Sequence, residues 1–218
     1  MLRHTAGTVF CRAPSLAATL RAADVDARCA GNVMMDTIPR TGYAAAARRT
    51  RPLGLVILPG SRSHAHQNFA LQVAALAAVP EALRPDLFLA VAGSLDLATL
   101  AAAAGLIHED RAREGPDRGV LRGRGLVINV LSGAAMGDAL DASDLVLSQA
   151  GTATVQAIGL GRPAITFQAP GDRESRFRDE QRLFGEARQV VAADSAAIAE
   201  RLTALLANDT ERARLAEI

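Results

Sequence analysis

The sequence predicts an α/β fold in which one doubly wound parallel sheet is covered by helices on both faces. Short runs of Leu, Val and Ile recur along the chain, and they are nearly continuous rather than alternating with polar residues. Such runs are typical of parallel strands that are buried on both faces. Stretches rich in Ala and Leu, with helical spacing, lie between them. The 218 residues suffice for one such domain and are too few for two full ones.

Six apolar runs are predicted as the strands of this sheet, at residues 53–58, 87–91, 126–130, 145–147, 164–167 and 189–191. Six helices are predicted after or between them, at residues 66–78, 97–104, 134–141, 152–160, 178–184 and 195–207. Because strand and helix alternate about six times, the prediction is a Rossmann-like α/β domain.

The first fifty residues do not continue this alternation. They predict a strand at 8–11, a helix at 14–23 that Pro14 opens, and a strand at 27–30. Gly, Asn, Pro and Arg interrupt residues 31–51, as in a linker. We therefore interpret residues 1–50 as the remnant of an N-terminal domain plus an interdomain linker, and residues 51–218 as the Rossmann-like domain.

The composition excludes several classes of protein. Half of the residues are hydrophobic and 22% are charged, which excludes wholesale disorder. The net charge of +1 excludes a strongly electrostatic nucleic-acid binder. Every basic side chain is Arg, so mechanisms that need a Schiff-base or P-loop lysine are excluded. No apolar run approaches the ~20 residues of a membrane span, and no signal peptide is evident, which favours a cytoplasmic protein.

The cysteines and histidines give no strong sign of a metal site. Cys11 and Cys29 are too few for a disulfide framework or a zinc site, so we expect buried, reduced thiols. His64 and His66 lack a third ligand nearby in the sequence, which favours histidines in the first turn of a helix near an anion site. No Ser-His-Asp or Cys-His arrangement is indicated.

The segment 109–124 is rich in Arg and Gly and has two interpretations. It is either a basic loop that contacts an anionic lipid or phosphate, or a solvated loop whose arginines are balanced by nearby carboxylates. We expect the solvated loop.

The first candidate binding motif is Leu58-Pro59-Gly60-Ser61-Arg62, directly after the first strand of the sheet. Gly60 permits a tight strand-to-helix turn, and the free N–H groups of the next helix can bind an anion. Arg62 adds a guanidinium that suits a phosphate. An ordinary turn with a surface arginine is the alternative.

The second candidate motif follows the strand at 145–147 and runs from Ser148 through Gln149 and Gly151 to Thr152. We expect Thr152 to cap the following helix and Gly151 to let a diphosphate approach its N-terminus. Gln156 lies one helical turn later, where its amide suits a ribose or sugar hydroxyl. A capped helix without a ligand is the alternative, and no strand is followed by the dinucleotide motif Gly-x-Gly-x-x-Gly.

Three segments together resemble a known family. They are residues 31–36 in the linker, residues 58–62, and residues 148–163, which include Ala150-Gly151-Thr152-Ala153-Thr154 and Gly159-Leu160-Gly161-Arg162-Pro163. In this order and spacing they resemble the C-terminal domain of a two-Rossmann-domain, B-type glycosyltransferase, and more narrowly the lipid-A-disaccharide synthase-like family. The resemblance covers nearly the whole chain.

The resemblance implies transfer of a sugar from a UDP-sugar to a lipid-linked sugar acceptor, with no metal and no further cofactor. It places the UDP on this domain, and the acceptor and catalytic base on an N-terminal domain. Arg62 would then meet the diphosphate beside Gly60 and Ser61, while Met136 would lie near the uracil. Ser148, Gln149, Gly151 and Thr152 would line the phosphate-binding helix start, with Gln156 near the ribose. A lipid-linked acceptor further implies a peripheral location at the inner face of the membrane.

The sequence departs from the family pattern in several places. Val33 replaces the usual proline of the linker, Ala65 and His66 stand where an acidic residue is common, and Gln156 is neutral. Almost the whole N-terminal domain is absent, so the resemblance implies a fragment. Two alternatives stay open: an enzyme like UDP-N-acetylglucosamine 2-epimerase, and a non-catalytic nucleotide-binding or scaffold module.

Overall fold

The computed structural model describes residues 7–110, 115–168 and 174–218, and the chain divides into two compact units after Ile38. In the first unit, strand β1 (Val9–Phe10) pairs in parallel with β2 (Ala27–Arg28). Helix α1 (Pro14–Ala22) connects them and begins at Pro14, whose fixed φ suits the first helical position. The predicted strand–helix–strand order is confirmed, with shorter strands.

The second unit contains one eight-stranded sheet. Its strands are β3 (Gly54–Leu58), β4 (Asp86–Val91), β5 (Ile107–Glu109), β6 (Asp117–Gly123), β7 (Leu126–Ser132), β8 (Leu145–Ser148), β9 (Ala164–Phe167) and β10 (Arg188–Val191). All six predicted strands are present within one or two residues of their predicted ends.

The spatial order of the strands is β10-β9-β8-β3-β4-β7-β6-β5. The six strands from β10 to β7 are parallel, and their order is that of a doubly wound Rossmann-like sheet. The chain leaves β3 toward β4 and returns on the other side at β8. The crevice at the carboxyl ends of β3 and β8 is therefore the topological switch point, where such sheets bind ligands.

The helices of the second unit follow the predicted pattern closely. They are α2 (Ala65–Ala78), α3 (Leu97–Ala103), α4 (Met136–Asp141), α5 (Thr152–Gly159), α6 (Glu174–Phe184), α7 (Ser195–Leu206) and α8 (Asp209–Ala216), with short 3-10 turns at Ala45–Arg48, Glu81–Leu83, Gly133–Ala135 and Gly185–Ala187. Helix α8 was not predicted, although Asn208 is a good N-cap and accepts a hydrogen bond from the Glu211 N–H at 2.9 Å.

The core of the second unit is a continuous apolar layer between the sheet and its helices. It includes Ile57, Phe69, Leu89 and Leu147, all of which are completely buried. Helices cover both faces of the sheet, so successive side chains of β3, β4 and β8 are all buried. This burial explains why the apolar runs in the sequence are continuous.

The region of residues 109–124 differs from the solvated loop that we expected. Residues 117–123 form β6, which pairs antiparallel with β7 and also with β5. Val120 and Leu121 of β6 are buried, so this part of the segment belongs to the sheet. This strand was not predicted because Arg and Gly predominate in it and only two apolar residues stand in succession. Residues 111–114 lie outside the described ranges.

Residues 39–50, predicted as linker, belong to the second unit, and ion pairs join them to the rest of it. Arg40 donates to both carboxylate oxygens of Asp141, at 2.8 and 3.1 Å. Asp117, at the start of β6, is 1% exposed and accepts hydrogen bonds from Arg48 and the Tyr43 hydroxyl. The Gly119 N–H donates to its other oxygen at 2.9 Å. This buried carboxylate therefore joins β6 to the residues that precede β3.

Candidate functional site

The two predicted binding turns meet at the switch point of the sheet. Leu58 and Ser148, the last residues of β3 and β8, are register partners. One residue further on, the Gln149 N–H donates to the Leu58 carbonyl at 2.7 Å. Gly60 has a φ of +92°, and a Cβ there would lie 3.1 Å from the Gln149 carbonyl oxygen. Glycine at this position thus permits both the left-handed turn and the close approach of the two chains.

The first turn presents its polar side chains to solvent. Ser61 and Arg62 are exposed, and no residue in the described ranges pairs with the Arg62 guanidinium. Asn68 in α2 donates to the Pro59 carbonyl at 3.1 Å, which fixes the base of the turn. His64 is the N-cap of α2 and makes no capping bond with its side chain, because its ring is 3.1 Å from the Gln67 amide oxygen.

The second turn differs in one respect from the sequence prediction. The N-cap of α5 is Gly151, whereas Thr152, which we expected to cap the helix, is its first helical residue and has an exposed side chain. A glycine N-cap has no side chain that can accept from the helix, and the first N–H groups of any helix lack partners within it. This helix start therefore retains free donors at the switch point.

Ser148 and Gln149 hold the second turn in shape. The Ser148 hydroxyl is completely buried, accepts from the Ala150 N–H at 3.1 Å and lies 2.6 Å from the Thr154 hydroxyl. The Gln149 amide donates to the Phe167 carbonyl at the end of β9, at 2.6 Å. Both side chains are engaged within the fold, so the polar groups that this turn offers to a ligand are mainly those of its backbone.

Met136 and Gln156 are both buried, each in a helix that follows a strand of the sheet. Met136 is the first residue of α4, which follows the carboxyl end of β7, and it is 7% exposed. Gln156, in the second turn of α5, is 4% exposed, whereas Thr152 one turn earlier is exposed. The predicted contacts of Met136 with uracil and of Gln156 with ribose stay predictions.

Sequence reasoning missed the loop after β4, which adjoins the first turn. The Ser94 hydroxyl is 3.4 Å from the Ser61 carbonyl oxygen. Asp96 accepts from the Thr99 hydroxyl and N–H, and these bonds, with a smaller contribution from the charge of His66, hold the pKa of Asp96 below its usual value. The His66 Nε2 atom is buried and has no hydrogen-bond partner in the described ranges. This loop could have been identified from the sequence, because it follows a predicted parallel strand and the carboxyl ends of such strands form the ligand-binding edge of the sheet.

No metal cluster is found among the described residues, and one cavity of the domain lies apart from these turns. Those residues contain no cluster of three or more His, Cys, Asp or Glu side chains that could hold a metal ion. A cavity of about 560 Å³ lies beside α6 and β10, and its lining includes Phe177, Gln181 and Arg188. None of the residues that line it belongs to either turn. The predicted site is therefore separate from this cavity.

The arrangement at the switch point suits an anion. Exposed Arg62 and the unsatisfied N–H groups at the start of α5 both favour negative charge, and the partial positive charge of the helix N-terminus adds to them. The two turns are joined directly by the hydrogen bond between Gln149 and Leu58.

Comparisons with known proteins show the fold. No family model and no curated protein matches the chain. Among solved structures, it is similar to WaaG, a glycosyltransferase involved in lipopolysaccharide biosynthesis, with a TM-score of 0.55 and 17% identity over 88% of this chain and 50% of that one. It is also similar to the spinosyn rhamnosyltransferase SpnG, with a TM-score of 0.50 and 20% identity over 81% of this chain and 42% of that one.

These similarities bear out the predicted Rossmann-like fold, as found in one half of B-type glycosyltransferases. The chain spans half the length of the WaaG structure and less than half that of SpnG. Neither neighbour indicates a lipid-A-disaccharide synthase in particular. Among the described residues, no helix has both the length and the apolar character needed to cross a membrane.

Proposed function

We propose that this chain is the donor-binding part of a UDP-sugar-dependent glycosyltransferase related to the lipid-A-disaccharide synthase-like family. The observation that carries the proposal is the meeting of the two turns at the switch point, where Gln149 bonds to Leu58 and Gly60 approaches Gln149. The glycosyltransferase folds of the structural neighbours support the same class of reaction. The order and spacing of the three sequence motifs support the narrower family.

In this proposal the diphosphate lies between Arg62 and the start of α5. Gly60 and Ser61 supply the first turn, while Gly151 and Thr152 supply backbone N–H groups at the second. Ser148 and Gln149 support that turn from within the fold. The uracil lies toward Met136 and the ribose toward Gln156.

The proposed reaction transfers a hexosyl group from the UDP-sugar to a lipid-linked sugar acceptor without a metal or other cofactor. The general base that deprotonates the acceptor is proposed to lie in a second domain, as in two-domain transferases that close over their substrates. An acceptor of this kind would place the enzyme at the inner membrane surface. The donor site is the part of this proposal that the present chain can test alone.

The proposal is tested by calorimetric titration of the purified chain with UDP and with ADP. We expect UDP to bind more tightly than ADP. The Arg62→Ala variant should weaken UDP binding by about 1.5–3 kcal/mol, because a hydrogen bond to a charged group is lost. Arg124→Ala is the matched control: Arg124 is exposed in the turn between β6 and β7, at the amino end of β7, so UDP affinity should not change.

Three outcomes would contradict the proposal or a part of it. If a cooperatively folded sample binds neither nucleotide, the result would favour a non-catalytic scaffold module with this fold. Equal losses of affinity in the Arg62 and Arg124 variants would remove Arg62 from the site. Formation of an epimeric UDP-sugar without an acceptor would favour the 2-epimerase-like alternative instead.

A further inference from the structure

Each of the two cysteines directly follows one of the paired strands of the first unit, although 17 residues separate them in the sequence. The parallel register pairs Val9 with Ala27 and Phe10 with Arg28. If this register is extended by one residue, Cys11 lies opposite Cys29. The Cys11 N–H donates to the Arg28 carbonyl at 2.7 Å, so the ladder continues to this position. The two cysteines are therefore direct neighbours across the strands.

Burial shows that both side chains lie on the same side of this strand pair. Phe10 is 69% exposed on the outer side, whereas Cys11 next to it is 5% exposed. Cys11 forms a small core with Ala17 and Ala27, and Cys29 packs against that core. Side chains alternate along a strand, so Cys11 and Cys29 both point toward α1.

The spacing of the strands suits a disulfide bond. Neighbouring strands lie about 4.7–4.9 Å apart. Disulfides join residues whose Cα atoms are typically about 4.4–6.8 Å apart. Both thiols are free in this structure, so the pair is a dithiol. We propose that Cys11 and Cys29 are a redox-active pair that become joined by a disulfide bond through thiol–disulfide exchange with a low-molecular-weight oxidant such as oxidised glutathione.

The unequal exposure of the two cysteines gives the reaction an order. Cys29 is half-buried and Cys11 is buried, so Cys29 meets the oxidant first. Its Sγ loses a proton to solvent, attacks one sulfur of the oxidant and expels one glutathione thiolate, leaving a mixed disulfide. The Cys11 Sγ, also deprotonated, then attacks Cys29 Sγ and expels the second thiolate. The protein loses two electrons and two protons, and the oxidant is reduced to two thiols.

The product would close a covalent loop around α1. Because β1 and β2 each have two residues, this unit has few hydrogen bonds that hold its strands together. A bond between Cys11 and Cys29 would restrain the same strand pair covalently. Oxidation should therefore slow amide hydrogen exchange across residues 9–29 and leave exchange in the eight-stranded sheet unchanged.

In the test, the chain is equilibrated with graded ratios of reduced to oxidised glutathione and the exchange is quenched in acid. The chain is then unfolded, its remaining thiols are alkylated with N-ethylmaleimide, and its intact mass is measured. We expect both alkylation sites to be lost together in oxidising mixtures, with the loss of two hydrogen atoms and no glutathione retained. The Cys11→Ser variant should stop at a glutathione adduct on Cys29. The Cys29→Ser variant should keep Cys11 free for alkylation.

Three results would overturn the proposal. The wild-type chain could retain both alkylation sites in every mixture, it could stop at a glutathione adduct, or it could form only dimers linked between chains. Native circular dichroism of both variants verifies that they fold. The readout requires neither a nucleotide nor transferase activity, so it is independent of the proposed function.

Discussion

Gly60 meets two requirements that no other residue type satisfies together. Its φ of +92° lies in the region that side chains disfavour, and a Cβ would make a tight contact of 3.1 Å with the carbonyl oxygen of Gln149. The sequence alone predicted the tight turn from a Gly-Ser pair after an apolar run. The contact with Gln149 was not predictable in this way, because it depends on which strand lies beside β3.

Replacing Gly60 with alanine should destabilise the protein by about 1–3 kcal/mol, the usual cost of a residue held in a strained backbone region. UDP affinity should fall as well, because the two turns can no longer approach as closely. Urea unfolding and calorimetry measure the two effects. Gly93→Ala is the control, since no atom lies within 4 Å of the point that its Cβ would occupy. Equal stability of the two variants would contradict the assigned role of Gly60.

Ser148 was predicted to line the phosphate-binding turn, but its hydroxyl is buried within the fold. Its hydroxyl faces inward to the Ala150 N–H and the Thr154 hydroxyl. The sequence showed a serine at the end of a strand before a small-residue turn, a pattern shared by ligand-binding and structural serines. Burial distinguishes the two, and burial depends on the packing of α5 against the sheet.

We expect Ser148→Ala to cost about 0.5–1.5 kcal/mol of stability, because the half-buried Ala150 N–H loses its hydrogen bond to the serine hydroxyl. Combining it with Thr154→Val should give a non-additive result, since the two hydroxyls contact each other. Denaturant unfolding of the four members of the cycle measures this coupling. Additive losses would mean that the two hydroxyls act independently.

At the scale of elements, parallel strands were predictable and the antiparallel pair was not. The six parallel strands are buried on both faces and therefore appear as apolar runs. Strand β6 instead alternates glycine and arginine around Val120 and Leu121, so no apolar run marks it in the sequence, although it pairs with β7 across a turn of only two residues, Arg124 and Gly125. The same limit applies to Asp117, which is embedded in a basic segment yet is the most buried carboxylate of the described residues.

Asp117→Asn should destabilise the protein by about 3–5 kcal/mol, because it breaks a buried ion pair and leaves the Arg48 charge without its partner. Thermal or urea unfolding measures this loss. Asp141→Asn is the matched control, since it breaks the pair with Arg40 at a side chain that is 51% exposed. That change should cost about 0–1 kcal/mol. A similar cost for both substitutions would show that burial at Asp117 has no energetic consequence.

The pair between Arg40 and Asp141 should also make a small contribution that depends on pH. Hydrogen bonds from Arg40 hold the pKa of Asp141 below its usual value. A carboxylate with a lowered pKa in the folded state stabilises that state above its ordinary pKa, and the contribution is lost as the pH falls through the lowered value. The stability difference between Arg40→Ala and wild type should therefore be present at pH 7 and vanish in strong acid. Urea unfolding of both proteins across this pH range measures the difference. A stability difference that does not change with pH would contradict the proposed contribution of this ion pair.

At the scale of the whole molecule, the second unit contains a complete apolar core. The buried cluster that joins β3, β4, β8 and their helices lies between Leu55 and Leu215. We predict that residues 39–218 expressed alone unfold in a single cooperative transition and bind UDP as the full chain does. Circular dichroism during urea unfolding and calorimetry measure both properties. A gradual, non-cooperative transition would show that residues 1–38 are required for folding.

Strand order also has a consequence for synthesis. Leu55 of β3 pairs with Leu145 of β8, and 90 residues likewise separate Gly54 from its hydrogen-bond partner Asp144. At about 5–20 residues per second, a ribosome needs about 5–18 s to add that interval. During this time the nascent β3 has one side without its final neighbour, although its five residues are all apolar or glycine. The crevice where the phosphates are proposed to bind therefore cannot form until β8 has been synthesised.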